Sequence, residues 1–162
     1  MKGPPGVEAI ASRLPPTGRL IGVDLGAKTI GLAVSDVERR LASPLKTLKR
    51  ATFGKDAEAL MAACREYGVV GLVVGLPLDL DGGDTPRAQS ARAFGRNLST
   101  TTGLPVAFWD ERFSTAAMER SLIEMDVSRS RRAEVIDKMA AAYILQGALD
   151  RLADLYHKDR GQ

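Results

Sequence analysis

The sequence predicts an α/β protein whose mixed five-stranded sheet carries helices on both faces. Short apolar segments with strand-like alternation fill the first third of the chain, and helical and strand-like periodicities alternate after that. The run at residues 69–76, Val-Val-Gly-Leu-Val-Val-Gly-Leu, is typical of a central strand buried on both faces. The expected order is a three-strand meander followed by alternating helices and strands.

The meander begins with a strand at residues 19–23 that ends at Asp24. A glycine-containing turn leads to a second strand at residues 29–35, so the two segments predict a β-hairpin. A shorter third strand is expected at residues 44–48, where Pro44 favours the edge of the sheet or the start of a strand because proline lacks a backbone donor.

The rest of the chain predicts four helices, two further strands and two polar loops. The helices are expected at residues 54–67, 85–101, about 114–125 and about 132–156, the strands at 69–76 and 105–109, and the loops at 79–83 and 127–131.

The length of 162 residues fits one domain, expected at residues 19–156. The proline-rich residues 1–18 predict a flexible tail, and residues 157–162 a polar tail. The sequence contains neither a secretory signal nor an apolar run near the roughly 18 residues that span a membrane. The single cysteine, Cys64, allows no intrachain disulfide, which agrees with the cytoplasm as the expected location.

The net charge of +3 is a weak signal, and the distribution of the basic residues is more informative. One group consists of Arg129, Arg131 and Arg132, and a second of Lys46, Lys49 and Arg50. Taken alone, each group fits a phosphate-binding surface and an ordinary solvated face equally well.

Three carboxylates occupy unusual places: Asp24 ends the first strand, Glu111 follows the last strand, and Asp137 lies in the long helix. Phosphodiester hydrolysis can use two Mg²⁺ ions roughly 3.5–4 Å apart, and Mg²⁺ prefers carboxylate oxygens. The single histidine, His157, gives little support to zinc or triad chemistry. Each acid taken alone could instead start a turn, cap a helix or face solvent, and Asp36, Asp110 and Glu134 are weaker candidates for the same site.

Four motifs occur in the order found in one known family: GVDLGAKTIGLAVSD at residues 22–36, VGLPL at 74–78 with Gly82 and Gly83, DERFST at 110–115, and DKMAAAYILQ at 137–146. With these motifs, residues 19–149 resemble the YqgF (RuvX) family of Holliday-junction-resolvase-like proteins, whose members are assigned to pre-16S ribosomal RNA processing.

The resemblance implies an RNase H-like fold and a nuclease that depends on Mg²⁺ or Mn²⁺. It carries over Asp24, Glu111 and Asp137 as catalytic residues and metal ligands, with Asp24 expected to bridge the metals. The implied role is maturation of the 5′ end of pre-16S rRNA, with structured RNA or branched DNA as the nucleic-acid partner.

Further residues could bind the phosphates of the nucleic acid, although ordinary surface charge explains each of them about as well. The nucleic-acid-binding candidates are Lys28, Arg112, Arg129, Arg131 and Arg132. Neither a monomer nor a homodimer is excluded.

Three alternative functions remain. A resolvase for four-way DNA junctions would need a two-fold dimer to make symmetric cuts. An ATP-dependent kinase shares the Asp-Leu-Gly turn at Asp24, but it would need a second domain that 162 residues do not provide. A non-catalytic nucleic-acid-binding module would keep the basic surface without needing the three acids.

Overall fold

The computed structural model describes residues 6–113 and 129–160, with side chains described over residues 6–112 and 137–158. The strands are β1 (Arg19–Leu25), β2 (Thr29–Ser35), β3 (Ala42–Lys49), β4 (Val69–Leu76) and β5 (Val106–Asp110). The helices are α1 (Val7–Ile10), α2 (Phe53–Tyr67), α3 (Pro86–Thr102) and α4 (Arg129–Arg160). The helix predicted near residues 114–125 lies outside the described residues.

The five strands form one mixed sheet in the order β3-β2-β1-β4-β5. Strands β1, β2 and β3 pair antiparallel as a meander, and β4 and β5 continue parallel to β1. The predicted sheet is therefore confirmed, including the edge position of β3. The carboxyl ends of β1, β4 and β5 meet at one side of the sheet, because parallel strands align their ends.

Alternate residues of β1 face two separate cores. Ile21 and Val23 pack with residues of α2 and α3. Leu20 packs with α4 on the opposite face, where Gly22 and Asp24 also point because side chains alternate along a strand. The sheet thus lies between α2 and α3 on one face and α4 on the other.

Several element ends differ from the predicted ones. Strand β1 continues to Leu25, which pairs with Ile30 across the hairpin. Helix α4 begins at Arg129, so Arg129 and Arg131 lie in the helix backbone and not in the predicted loop. The same helix continues to Arg160, into the predicted polar tail, because no proline interrupts this segment. No helix in the described ranges has the length and apolar character needed to cross a bilayer.

The predicted flexible tail, residues 1–18, differs from the structure over the part that is described. Residues 7–13 form α1 and a 3₁₀ turn, and Val7 and Ile10 are each 1 % exposed against the core beside α4. The Tyr156 hydroxyl donates a 2.8 Å hydrogen bond to the Ala11 carbonyl. The prediction of a flexible tail rested on the prolines. The apolar residues between them instead pack against the core and hold the segment to the fold.

Candidate active site

Asp24 lies near the carboxyl end of β1, on the face covered by α4, and is 8 % exposed. Its direct partner on β2 is Gly31, and the register that pairs Val23 with Val74 puts Gly75 of β4 beside it. A Cβ at Gly75 would lie 2.5 Å from Glu111 Oε1, and one at Gly31 would lie 2.0 Å from the Asp137 carbonyl oxygen. Glycine on both flanks therefore gives the two other acidic residues room to approach Asp24.

Glu111 begins the 3₁₀ turn that follows β5, and its side chain is hydrogen-bonded to Asp24. Burial raises the Glu111 pKa to about 8, and the negative charge of Asp24 acts in the same direction. At neutral pH and with no cation bound, Glu111 is therefore protonated and donates a hydrogen bond to the Asp24 carboxylate.

The pKa of Asp24 is also raised, by burial and by a second carboxylate. Burial raises its pKa, and the charge of Asp137 raises it further, while the hydrogen bond with Glu111 lowers it. The positive charge of Arg87, in the first turn of α3, lowers the pKa of both Asp24 and Glu111. Among the described residues, Arg87 is thus a cation that acts on both Asp24 and Glu111.

A hydrogen bond from strand β2 holds the side chain of Asp137. The Thr29 hydroxyl, at the start of β2, donates a 2.5 Å hydrogen bond to Asp137 Oδ2. The close approach of the α4 backbone to Gly31 brings this part of the helix onto the sheet. Farther along α4, the Gln146 side chain accepts from Ala42 N and donates to the Arg40 carbonyl, which ties the start of β3 to the helix.

Arg112 has contacts that the phosphate-binding prediction did not include. Its Nε donates to both carboxylate oxygens of Asp110, at 3.0 and 2.8 Å, and Nη2 donates to Oδ2 at 2.5 Å. Its Nη1 reaches the Leu80 carbonyl at 3.2 Å. Arg112 thus joins the end of β5 to the loop after β4, and Asp110 is its partner instead of a fourth acid of the site.

The remaining nucleic-acid-binding candidates fall into two groups. Lys28 is exposed in the turn between β1 and β2. For Arg129, Arg131 and Arg132 the structure describes the backbone but not the side chains.

Sequence reasoning missed two residues of the site, Thr29 and Arg87. Thr29 lies within the first family motif, but nothing in its spacing indicated a contact with Asp137. Arg87 offered one signal, because a cation in the first turn of a helix opposes the helix dipole and needs an acidic neighbour to offset that cost.

The donor set fits a hard divalent cation. Among the described residues, no three carboxylate, histidine or cysteine side chains lie close enough together to hold an ion. Mg²⁺, however, is commonly bound by one or two carboxylates plus substrate phosphates and water. Asp24 and Glu111, whose side chains are hydrogen-bonded to each other, supply such a pair.

Known structures share this fold. The yeast mitochondrial Holliday junction resolvase Ydc2 superposes with a TM-score of 0.56 at 12 % identity, over 93 % of this chain and 86 % of that one. RuvC of Thermus thermophilus, solved with a Holliday junction substrate, gives a TM-score of 0.52 at 15 % identity, over 83 % and 96 % of the two chains. The class that these structures define is the RNase H-like fold of RuvC-like resolvases and nucleases.

Sequence comparison identifies the family. The family model described as "RuvX: Holliday junction resolvase" matches residues 18–151. A protein of Bradyrhizobium sp. strain BTAi1 named "Putative pre-16S rRNA nuclease" is 62 % identical over 151 residues, which are 93 % of each chain. A relative of the same name from Paracoccus denitrificans is 60 % identical over 146 residues, covering 90 % of this chain and 92 % of that one. The chain belongs to the RuvX family.

Proposed function

We propose that this nuclease hydrolyses phosphodiester bonds of ribosomal RNA precursors with Mg²⁺ or Mn²⁺, and that it acts in the cytoplasm in maturing the 5′ end of pre-16S rRNA. The observation that carries the chemistry is the hydrogen-bonded pair of buried Asp24 and half-buried Glu111 at the carboxyl ends of β1 and β5. The names of the 60 %-identical relatives support the RNA substrate.

Asp24 and Glu111 would hold the cation, and Asp137 would act from the opposite side of Asp24. The bound ion would supply an activated water and stabilise the leaving oxygen. The chain itself contributes orientation, since Thr29 fixes one oxygen of Asp137. It also contributes the charge of Arg87, which favours the ionised form of both Asp24 and Glu111.

The test is cleavage of a labelled precursor-rRNA fragment by the purified full-length protein in Mg²⁺ and in Mn²⁺. Asp24→Asn runs beside it, because this variant keeps the side-chain shape and removes the charge. Cleavage by the wild type that is lost in the variant is the expected result. Binding of the fragment by both proteins without any cleavage would contradict the proposal and favour a nucleic-acid-binding module.

The description of the matching family favours a second candidate, resolution of four-way DNA junctions. Two symmetric cuts need a two-fold dimer. A labelled four-way junction is therefore tested in parallel, and sedimentation gives the mass of the particle that cuts. Paired symmetric cuts by a dimer would favour this candidate, whereas a monomer that cuts only the RNA fragment would exclude it.

A further inference from the structure

A groove of about 520 Å³ lies beside Asp137, and we call it the lysine groove. It is lined by Lys28, Thr29, Lys46, Thr47, Lys49 and Lys138. These residues come from three elements: the turn between β1 and β2 with the start of β2, the edge strand β3, and helix α4. The fold thus gathers four lysines from three separate stretches of the sequence.

The lysine charges are not neutralised within the described part of the chain. The ion pairs found there are Arg40–Glu38, Arg92–Asp84, Arg112–Asp110 and Arg151–Glu8, and none includes a groove lysine. Among the residues whose side chains the structure describes, none that lines the groove is acidic. Four ammonium groups around one concave surface repel one another and raise the local concentration of anions. The groove is therefore suited to a ligand that carries several negative charges.

The groove leads directly to the proposed catalytic centre. Thr29 forms part of its wall and donates its hydroxyl hydrogen to Asp137. Lys49 is the direct partner of Thr29 across β2 and β3, and Lys138 follows Asp137 in α4. A polyanion lying along the lysines would therefore continue into the carboxylate site.

We infer that the lysine groove binds the phosphodiester backbone of the nucleic-acid strand next to the bond that is cut. This inference rests on the proposed nuclease function for its location, but the binding itself needs no cleavage. Lysine and threonine side chains would contact phosphates without reading bases, so the contacts hold the strand in position and carry no sequence preference. They would also offset the repulsion between the substrate and the carboxylates.

The first test measures how the affinity for a labelled single strand depends on salt, in a chelator so that no cutting occurs. The variant is Lys28→Ala/Lys46→Ala/Lys49→Ala. The control is Lys55→Ala/Arg65→Ala/Arg96→Ala, which removes the same charge from exposed positions on α2 and α3. Each lost phosphate contact should lower the slope of log affinity against log salt by about 0.7, so the groove variant should lose about 2.

An unchanged slope in the groove variant, or an equal loss in the control, would overturn the inference. Single-stranded RNA and DNA of one sequence identify which polymer binds, and a change of slope with either one supports the inference. Absence of cleavage in the Asp24 experiment would leave this measurement unaffected, so the two proposals fail separately.

A second test locates the strand. Burial raises the Cys64 pKa to about 11, so this thiol reacts poorly at neutral pH and an introduced cysteine can be labelled selectively. A benzophenone attached at Lys49→Cys should cross-link the labelled strand, and the product should disappear at high salt. Lys55→Cys on α2 is the matched control. Equal cross-linking from both positions would contradict binding in the groove.

Discussion

Thr29 and Asp137 are 108 residues apart in the chain and are joined by a 2.5 Å hydrogen bond from the threonine Oγ1 to the aspartate Oδ2. The bond connects the first residue of β2 to α4, on the face that also carries Asp24. It fixes one oxygen of Asp137 and leaves the other for chemistry. Thr29 can therefore control the geometry of Asp137 in the proposed catalytic centre.

Thr29→Val keeps the branched shape that suits a strand and removes the hydroxyl. A hydrogen bond to a charged group contributes about 1.5–3 kcal/mol. If that energy serves to hold Asp137 in place, the single-turnover cleavage rate should fall roughly 10- to 100-fold. Thr29→Ser should retain most of the rate because it keeps the donor. A wild-type rate in Thr29→Val would show that Asp137 needs no such support.

The raised pKa of Glu111 predicts how stability depends on pH in the metal-free protein. The folded chain keeps a proton up to about pH 8, whereas the unfolded glutamic acid releases it near its ordinary value of 4.5. This contribution to stability is complete below the unfolded pKa and is lost as the pH rises through the folded one. The melting temperature in a chelator should therefore fall between about pH 5 and about pH 9.

Glu111→Gln provides the comparison, because its amide cannot ionise. Its melting temperature should decline less than that of the wild type over the same pH range, and the difference should grow toward alkaline pH. Parallel curves for the two proteins would mean that Glu111 is not the group that titrates.

Gly31 and Gly54 form a matched pair for testing how closely α4 must approach the sheet. A Cβ at Gly31 would lie 2.0 Å from the Asp137 carbonyl oxygen, whereas a Cβ at Gly54 meets nothing within 4 Å. Gly31→Ala should destabilise the fold by about 1–3 kcal/mol through overpacking. It should also lower cleavage by displacing Asp137. Gly54→Ala should be neutral or slightly stabilising in urea denaturation, since alanine favours a helix.

Asp110 and Arg112 should behave as one unit, because the guanidinium binds both carboxylate oxygens and the Leu80 carbonyl. Asp110→Asn and Arg112→Lys should each slow cleavage by loosening the loop after β4. The double variant should be little worse than either single one, giving a coupling of about 0.5–3 kcal/mol. The opposite outcome is that the losses of cleavage rate are additive and that only the Arg112 variant shows weaker salt-dependent binding of nucleic acid. That outcome would support Arg112 as a phosphate ligand.

Ile10 tests whether the N-terminal segment is part of the fold. It is 1 % exposed and lies in the core beside α4. Ile10→Ala should cost about 2–5 kcal/mol in the free energy of unfolding, as expected for a large buried side chain. A loss of unfolding free energy below about 0.5 kcal/mol, which is the usual range for surface positions, would support the original prediction of a flexible tail.

The periodicity of apolar residues was sufficient to predict the strands of the sheet. The predicted bounds of β2 and β4 match the structure, because alternating and continuous apolar runs report burial directly. The N-terminal helix was missed because four residues contain only two buried side chains, which is too short for a periodic signal.

The site could be predicted only in part. Asp24, Glu111 and Asp137 stand out by their positions at strand ends and in an apolar helix, and their catalytic role stays a prediction. The hydrogen bond between Thr29 and Asp137 depends on how α4 packs on the sheet, which no local pattern encodes. The lysine groove could be predicted only in part: the sequence indicated Lys28, Lys46 and Lys49 as candidates, but Lys138 becomes their neighbour only in the folded chain.

The placement of Asp137 on the last helix has a consequence for the timing of protein synthesis. Helix α4 covers the sheet face that contains Leu20, Ala33, Val73 and Ala107, and Asp137 reaches its position only when that face is covered. During synthesis, the sheet can therefore bring Asp24 and Glu111 together before α4 has packed on it. The proposed cutting activity would begin only when α4 packs and adds the third carboxylate.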